Sequence, residues 1–307
     1  MFDPNALPDL AGKVAVVTGA NAGLGIETSK MLAAKHCRVI LACRNEAKAK
    51  AAASEIRDAA PNAALDIVRL DLGDLSSVNA CADHIVKTET KIDFLINNAG
   101  LMSGDLAHTS DGHELHFGTN HLGHFVLNAR LLPLVEAAAG RVIAIGSASH
   151  QMVRRYGVDD LNWEKRNYNV MQAYAQSKLA NMLYIHELAK RLTAKGSPAM
   201  AVMAHPGFAA TSIVNSDDAG RIGAVKQAIS RFATWLVAQP QSQGAWPTLL
   251  AATDPTAKQG DYYGPTGWRE MRGDPGKASR TALARDDENA SALWAASERL
   301  TGTPFVV

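Results

Sequence analysis

Short, nearly uninterrupted apolar runs alternate along the chain with longer segments in which apolar residues recur at helical spacing. Such continuous runs are typical of strands buried on both faces. The predicted strands are KVAVVT (13–18), RVILAC (38–43), LDIVRL (65–70), IDFLIN (92–97), RVIAIG (141–146) and AMAVMA (199–204). Predicted helices between them include 23–35, 46–58, 75–88 and 173–194. This alternation predicts βαβ units around a parallel sheet, the α/β fold class.

The alternating pattern covers most of the chain, so we expect one domain over residues 1–307. No internal repeat or low-complexity tract indicates a solenoid. Between about 208 and 285 the pattern loosens into Gly, Pro and aromatic clusters, such as QPQSQGAWP and GDYYGPTGW. We expect this part to form loops and a cap over a binding site.

Composition excludes several classes of function. Apolar residues make up 47% and charged residues 20% of the chain, which are ordinary globular values. The formal net charge of +1, with scattered basic residues, predicts neither a nucleic-acid surface nor a polybasic membrane anchor. Cys37, Cys43 and Cys81 lack a C-x-x-C spacing and suit a reducing compartment. Because the sequence shows neither a signal peptide nor a long apolar span, we expect a cytoplasmic protein.

A glycine-rich segment, TGANAGLG, follows the first predicted strand and precedes the first predicted helix. Gly19, Gly23 and Gly25 would let the chain turn tightly and bring backbone N–H groups to a pyrophosphate at the helix N-terminus. A structural turn is the alternative interpretation. The strand-turn-helix context favours a nucleotide-binding turn.

The second predicted strand ends in LACRN, where a dinucleotide fold reads the adenosine ribose. An NAD site is expected to have Asp or Glu there, whereas the guanidinium of Arg44 suits the 2′-phosphate of NADP. Arg44 could instead be a solvated loop charge, and Ala22 supplies no second cation. Asp71, after the third predicted strand, would be placed to meet the adenine edge.

The segment YAQSK puts Tyr174 and Lys178 on one face of a predicted helix. Such a pair is common by itself and is usually structural. A phenol has a pKa of about 10, and a neighbouring ammonium would bring it toward the working range of an acid or base. Ser147 ends the fifth strand, where open α/β folds bind ligands, and could hydrogen-bond a substrate oxygen, although a serine there can also be a cap.

These segments occur in a specific order: TGANAGLG, NNAG (97–100), Asn120 in GTNHLGHF, Ser147, YAQSK and HPGFAAT (205–211). The ordered set resembles the short-chain dehydrogenase/reductase family from about residue 10 to 300. ACRN, NHLGHF, YAQSKLANMLY, ELAKRL, HPG and GAWPTLLAATDP are most similar to the retinol-dehydrogenase-like and WW-domain-oxidoreductase-like branch. The resemblance implies one Rossmann-type doubly wound domain with about seven parallel strands. It also implies NAD(P)(H)-dependent interconversion of alcohols and carbonyl compounds.

The resemblance also implies roles for four catalytic residues. Asn120 would hold a water in a proton relay, Ser147 would orient the carbonyl and Tyr174 would be the acid/base. Lys178 would bind the nicotinamide ribose and lower the tyrosine pKa.

The expected cofactor is NADP(H), with NAD(H) possible. NNAG would pack beside it, and the PG turn with Thr211 would contact its nicotinamide end. The predicted cofactor-binding residues are Gly19, Asn21, Gly23, Leu24, Gly25, Arg44, Asn45, Asp71, Leu72, Asn98, Ala99, Gly100, Tyr174, Lys178, Pro206, Gly207 and Thr211. The family usually forms homodimers or homotetramers.

The stretch HELHFGTNHLGHF contains two H-x-x-H pairs, a spacing that metal sites use. There is no H-E-x-x-H order, and hydride transfer by a nicotinamide requires no metal, so we expect no catalytic metal. We expect these histidines to pack between helix and sheet or to cap loops, with His121 and His124 belonging to the family pattern.

Three departures from the family pattern affect this interpretation. Many retinol dehydrogenases have an N-terminal membrane helix, whereas this chain soon reaches DLAGKVAVVTGA, so we expect no membrane residence and doubt a retinoid substrate. Gly146 replaces the first serine of the usual Ser-Ser pair. The insertion before Tyr174 is expected to form a pocket wall near 148–172, with a second wall near 208–285. Met152, Val153 and Trp163 hint at an apolar substrate, unless they pack the loop.

The sequence therefore predicts an NADP(H)-dependent oxidoreductase that interconverts an alcohol and a ketone or aldehyde on a small, apolar substrate. A non-catalytic NADP-binding sensor or scaffold is the alternative from another class. A carbon-carbon double-bond reductase is the alternative enzyme.

Overall fold

The computed structural model describes residues 2–207 and 240–307. Within these residues, eight strands form one sheet. The strands are β1 (Val14–Thr18), β2 (Arg38–Cys43), β3 (Leu65–Arg69), β4 (Phe94–Asn97), β5 (Arg141–Ile145), β6 (Met200–Ala204), β7 (Tyr262–Pro265) and β8 (Pro275–Lys277). Their order across the sheet is β3-β2-β1-β4-β5-β6-β7-β8.

Helices connect the strands and cover both faces of the sheet. They are α1 (Gly23–Ala33), α2 (Glu46–Ala59), α3 (Leu75–Thr88), α4 (Leu115–Phe117), α5 (Gly123–Ala137), α6 (Val170–Lys195), α7 (Gln241–Gly244), α8 (Trp246–Thr253) and α9 (Asp287–Thr301). A π-helical turn, Gly118–Leu122, joins α4 to α5. Short 3₁₀ helices span Pro4–Ala6, Ala148–Met152, Trp268–Glu270 and Leu283–Arg285.

Seven neighbouring strands, β3 to β7 in sheet order, pair in parallel, and β8 adds an antiparallel edge. The expected doubly wound sheet with about seven parallel strands is confirmed. Chain order reverses at β1, which pairs with β2 on one side and β4 on the other. Ligands bind at such a switch point, beyond the carboxyl ends of the strands.

The six predicted strands and four predicted helices are present, with ends shifted by a few residues. The expectation of loops across 208–285 is wrong for two clusters in the described part. QPQSQGAWP contributes α7 and the start of α8, where Pro247 occupies the first turn that tolerates proline. GDYYGPTGW contributes β7, whose pairing with β6 and β8 outweighs its glycine and proline. The part of this range before residue 240 lies outside the described residues.

Alternate strand residues bury opposite faces of the sheet. Val16 and Ile40 belong to a core with α3, α5, α6 and α9, whereas Val17 and Leu41 belong to a core with α1, α2 and α8. Because both faces are covered, the strands read as continuous apolar runs.

Candidate functional site

A cavity of about 520 Å³ opens at the carboxyl ends of the central strands. This position at the switch point and this volume are typical of small-molecule sites. Its lining includes most of the predicted site residues: Gly19, Asn21, Gly23, Leu24, Arg44, Asn45, Asp71, Leu72, Asn98, Ala99, Gly100, Ser147, Tyr174, Lys178, Pro206 and Gly207. Gly25 and Asn120 do not line it. Thr211 lies outside the described residues.

The glycine-rich turn leaves no room for a side chain at Gly25. A Cβ there would lie 2.3 Å from Gly19 O and 2.6 Å from Asn98 Nδ2. Gly19 itself has a φ of +64°, a backbone conformation that favours glycine. Asn98 Nδ2 donates to Thr18 O at 2.8 Å and ties the turn to β4. Gly25 therefore shapes the turn without lining the cavity. No side chain caps the N-terminus of α1, whose first N–H groups suit a pyrophosphate.

The far end of the cavity is basic. Arg44 follows β2 on the cavity wall, and Lys48 on the first turn of α2 lines the same wall. Among the described residues, the guanidinium of Arg44 forms no hydrogen bond or ion pair. Asn45 caps α2 by accepting a hydrogen bond from Lys48 N–H at 2.9 Å. Two cations facing one wall suit a dianionic phosphate.

Sequence reasoning missed Lys48 as a second cation. The signal was present, because Arg44 and Lys48 are four residues apart where a capped helix begins. Asp71 lies on the neighbouring wall, and its Oδ1 accepts a hydrogen bond from Gly73 N–H at 3.0 Å. That bond leaves the second carboxylate oxygen of Asp71 for another partner.

Ser147 and Tyr174 meet at the opposite end of the cavity. Ser147 follows β5 and caps the 3₁₀ helix Ala148–Met152, where its Oγ accepts from Ser149 N–H at 3.2 Å. Burial raises the pKa of Tyr174, and hydrogen bonding with Ser147 offsets that rise only in part. The phenol is therefore protonated at neutral pH and can donate a proton.

Lys178 lies one helical turn after Tyr174, as the spacing predicted. Its Nζ donates to Ile145 O at 3.2 Å and lies 5.9 Å from the centroid of the Tyr174 ring. Burial lowers the pKa of Lys178 to about 8. Burial is the largest influence on the pKa of both side chains in this structure. The lowering of the Tyr174 pKa by Lys178 stays a prediction.

Asn120 lies in the π-helical turn before α5. Its Oδ1 accepts from Leu101 N–H at 2.8 Å, and its Nδ2 donates to Leu101 O at 3.1 Å and to Ser177 Oγ at 3.0 Å. Single π-helical turns are frequent at functional sites. In this structure the amide braces Leu101, a cavity-lining residue, and both Nδ2 hydrogens are donated. The water-holding role of Asn120 stays a prediction.

His121 and His124, two of the four histidines in HELHFGTNHLGHF, form buried hydrogen bonds within the fold. His124 Nε2 lies 2.9 Å from Thr18 Oγ1, its Nδ1 lies 3.0 Å from Asn120 O, and His121 Nε2 lies 2.8 Å from Ser297 Oγ. The first pair links α5 to the end of β1. In the parts of the chain that the structure describes, no group of three or more His, Cys, Asp or Glu side chains could hold a metal ion.

The buried histidines make stability depend on pH. Burial lowers the pKa to about 3 for His121 and to about 4 for His124 and His205, from 6.5. Between pH 6.5 and 4 the unfolded chain binds protons that the folded chain does not, so stability falls as pH falls. We expect each of these histidines to lower the free energy of unfolding by about 2 kcal/mol at pH 5 relative to pH 7.

Denaturant unfolding at pH 7 and pH 5 measures this effect. His121→Phe should reduce the pH dependence, whereas His84→Gln, at an exposed histidine, should preserve it. Equal free energies of unfolding at the two pH values would contradict the burial of neutral histidines.

The insertion before Tyr174 packs against itself and the core. Trp163 is buried, with its ring centroid 5.3 Å from that of Tyr168 and the Arg166 guanidinium 3.7 Å above it. Val153 packs against the core, whereas Met152 is 55% exposed. None of these three apolar residues lines the cavity. Trp163 and Val153 therefore serve packing, which was the alternative to lining an apolar substrate pocket.

No helix within residues 2–207 and 240–307 is long and apolar enough to cross a bilayer.

Known proteins resemble this chain in sequence and in fold. A family model described as short chain dehydrogenase matches residues 13–158. Human retinol dehydrogenase 13 is 38% identical over 301 residues, which are 95% of this chain and 86% of the relative. Mouse polyprenol dehydrogenase is 36% identical over 306 residues, 98% of this chain and 87% of the relative. The solved structure of an uncharacterized protein from Mycobacterium paratuberculosis has a TM-score of 0.81 and 37% identity, covering 100% of this chain and 99% of that one.

Proposed function

The chain belongs to the short chain dehydrogenase family, in its retinol-dehydrogenase-like branch, and on that premise we propose an NADP(H)-dependent oxidoreductase that interconverts an alcohol and a ketone or aldehyde. The observation that carries the proposal is one cavity with two chemically different ends. Ser147, Tyr174 and Lys178 lie at one end, and Arg44 and Lys48 lie at the other.

We infer that the cavity would take a dinucleotide along its length. The closely packed turn at Gly19 would accept the pyrophosphate, and Asp71 would accept the adenosine. Arg44, whose guanidinium has no partner among the described residues, would bind the 2′-phosphate. Pro206 and Gly207 would contact the nicotinamide end. When bound, the reduced nicotinamide supplies the hydride that the carbonyl carbon receives.

The chain's own residues supply the proton and its placement. The hydroxyl of Tyr174 is protonated at neutral pH and donates to the carbonyl oxygen, which completes the alcohol. Ser147 hydrogen-bonds the same oxygen as negative charge develops on it. Lys178, when charged, would hold the ribose and would stabilise the tyrosinate that proton transfer leaves behind. In the oxidative direction, the tyrosinate takes the alcohol proton.

We propose that the substrate is small and apolar. We also propose that residues 1–307 form one domain, which contains the substrate site. The walls expected near 148–172 and 208–285 stay a prediction, and residues 208–239 lie outside the described residues. The two named relatives are called retinol dehydrogenase and polyprenol dehydrogenase, and retinol and polyprenol are isoprenoid alcohols. These names support adding isoprenoid aldehydes to any substrate screen.

The test is NADPH oxidation by the purified protein against aldehydes, ketones, quinones and isoprenoid aldehydes. We expect turnover with at least one carbonyl compound, accompanied by formation of the corresponding alcohol. NADPH binding without turnover across the panel would favour a non-catalytic NADP-binding sensor. A product reduced at a carbon-carbon double bond would replace the proposed reaction with double-bond reduction.

A further inference from the structure

A buried polar cluster remains outside the proposed chemistry. Glu114 and His116 are 0% exposed, and His116 Nδ1 lies 2.7 Å from Glu114 Oε1. The hydroxyl of Tyr168, from the 148–172 insertion, lies 3.0 Å from both atoms. Buried ionisable groups are rare unless they are paired and hydrogen-bonded, so this cluster requires a physical reason.

The hydrogen bonds place every proton in the cluster. Ser103 N–H donates to His116 Nε2 at 2.9 Å, so the ring proton lies on Nδ1 and faces Glu114. The Tyr168 hydroxyl donates to the same carboxylate, and Phe117 N–H donates to its Oε2 at 2.7 Å. Burial would raise the pKa of Glu114, but hydrogen bonds from His116 and Phe117 hold it below its usual range. Glu114 is therefore a buried anion that accepts three hydrogen bonds.

The cluster joins three segments, and one of its rings contacts Tyr174, the proposed acid. Ser103 follows the cavity-lining Leu101 by two residues, and Glu114 N–H donates to Asn162 Oδ1 of the insertion at 3.0 Å. The ring of His116 packs edge-on against the ring of Tyr174, with centroids 6.2 Å apart at 75°.

We propose that Glu114, His116 and Tyr168 are positioning residues: they tie the 148–172 insertion to His116, whose ring packs against Tyr174. The inference rests on the proposed function, since it takes Tyr174 as the acid. Loss of the Tyr168 hydroxyl leaves Glu114 with one donor fewer and releases the insertion. Loss of the His116 ring removes a contact that orients the Tyr174 phenol.

Tyr168→Phe tests the first part, and Tyr156→Phe is its matched control. Tyr156 lies in the same insertion, and its hydroxyl has no hydrogen-bond partner within the described residues. We expect Tyr168→Phe to raise KM for the carbonyl substrate about tenfold, as for loss of a hydrogen bond to a buried charge, with a smaller change in kcat. Tyr156→Phe should change neither constant.

His116→Gln tests the second part. The glutamine can still accept from Ser103 N–H, but it places no ring against Tyr174. We expect kcat to fall about tenfold while NADPH affinity is unchanged, because misplaced reacting groups lower the rate rather than cofactor binding. A loss in kcat that only parallels a loss of folded protein in thermal melts would reduce His116 to a structural role.

Hydrogen exchange of the insertion separates this inference from the proposed function. Amides in 148–172 should exchange faster in Tyr168→Phe than in Tyr156→Phe, whether or not a substrate has been found. Faster exchange together with no turnover in the wild type would overturn the proposed function and leave the packing role standing. Equal exchange and equal KM in the two variants would overturn the positioning role while wild-type turnover stands.

Discussion

Tyr174→Phe is expected to lower kcat for carbonyl reduction about 10³-fold while NADPH affinity is unchanged. The substitution removes only the hydroxyl, which is the one proton donor that the proposed mechanism uses for the carbonyl oxygen. The ring remains to pack against His116, at the centroid separation of 6.2 Å. Steady-state kinetics with the best substrate of the panel and NADPH fluorescence titration measure the two quantities.

Tyr184→Phe is the matched control for this experiment. Tyr184 lies on the same helix, α6, and does not line the cavity. The control should keep its turnover and melt near the wild type. Residual kcat in Tyr174→Phe within about tenfold of the wild type would remove the phenol from proton transfer, since a general acid contributes at least 10²-fold.

Arg44→Asp is expected to raise the Kd of NADPH about 100-fold and to leave the Kd of NADH unchanged or lower. The substitution removes a charge-assisted hydrogen bond to the 2′-phosphate and adds a like charge beside it. An aspartate at this place can also accept from the 2′-hydroxyl that NADH carries. Fluorescence titration of both cofactors at one ionic strength measures the change in preference.

Two further variants test whether the change in NADPH affinity is specific to the position of Arg44. Arg57→Asp makes the same charge change at an exposed position of α2 that does not line the cavity, and it should leave both affinities unchanged. Lys48→Gln should weaken NADPH less than Arg44→Asp, because it removes one cation without adding an anion. Equal loss of NADPH and NADH affinity in Arg44→Asp would place Arg44 away from the 2′-phosphate.

Much of the fold follows from local sequence signals. The six apolar runs became strands because continuous apolar segments of that length bury both faces. Helix starts also have local causes: Asn45, Asp74 and Asn169 each accept a hydrogen bond from a backbone N–H in the first turn. The cap at Asn169 explains why α6 begins before the predicted residue 173.

The shorter elements escaped prediction because their stability is not local. The strand β7 has four residues, including Gly264 and Pro265, and gains its hydrogen bonds from β6 and β8. Sequence periodicity is weak over so few residues. The geometry of neighbouring strands decided that this aromatic cluster would extend the sheet.

The candidate site likewise has some features that local sequence determines and others that depend on tertiary structure. The sequence by itself determined which residue types stand at the strand ends, namely the glycine turn, Arg44 and Ser147, and that Tyr174 and Lys178 share a helical face. These follow from local spacing and from the common edge that parallel strand ends share. Only the tertiary structure decided the direction in which the pKa values of Tyr174 and Lys178 shift. It alone also brought the Tyr168 hydroxyl within hydrogen-bond distance of Glu114 and His116. Burial depth and contacts between distant segments set those properties, and neither is encoded in the spacing of neighbouring residues.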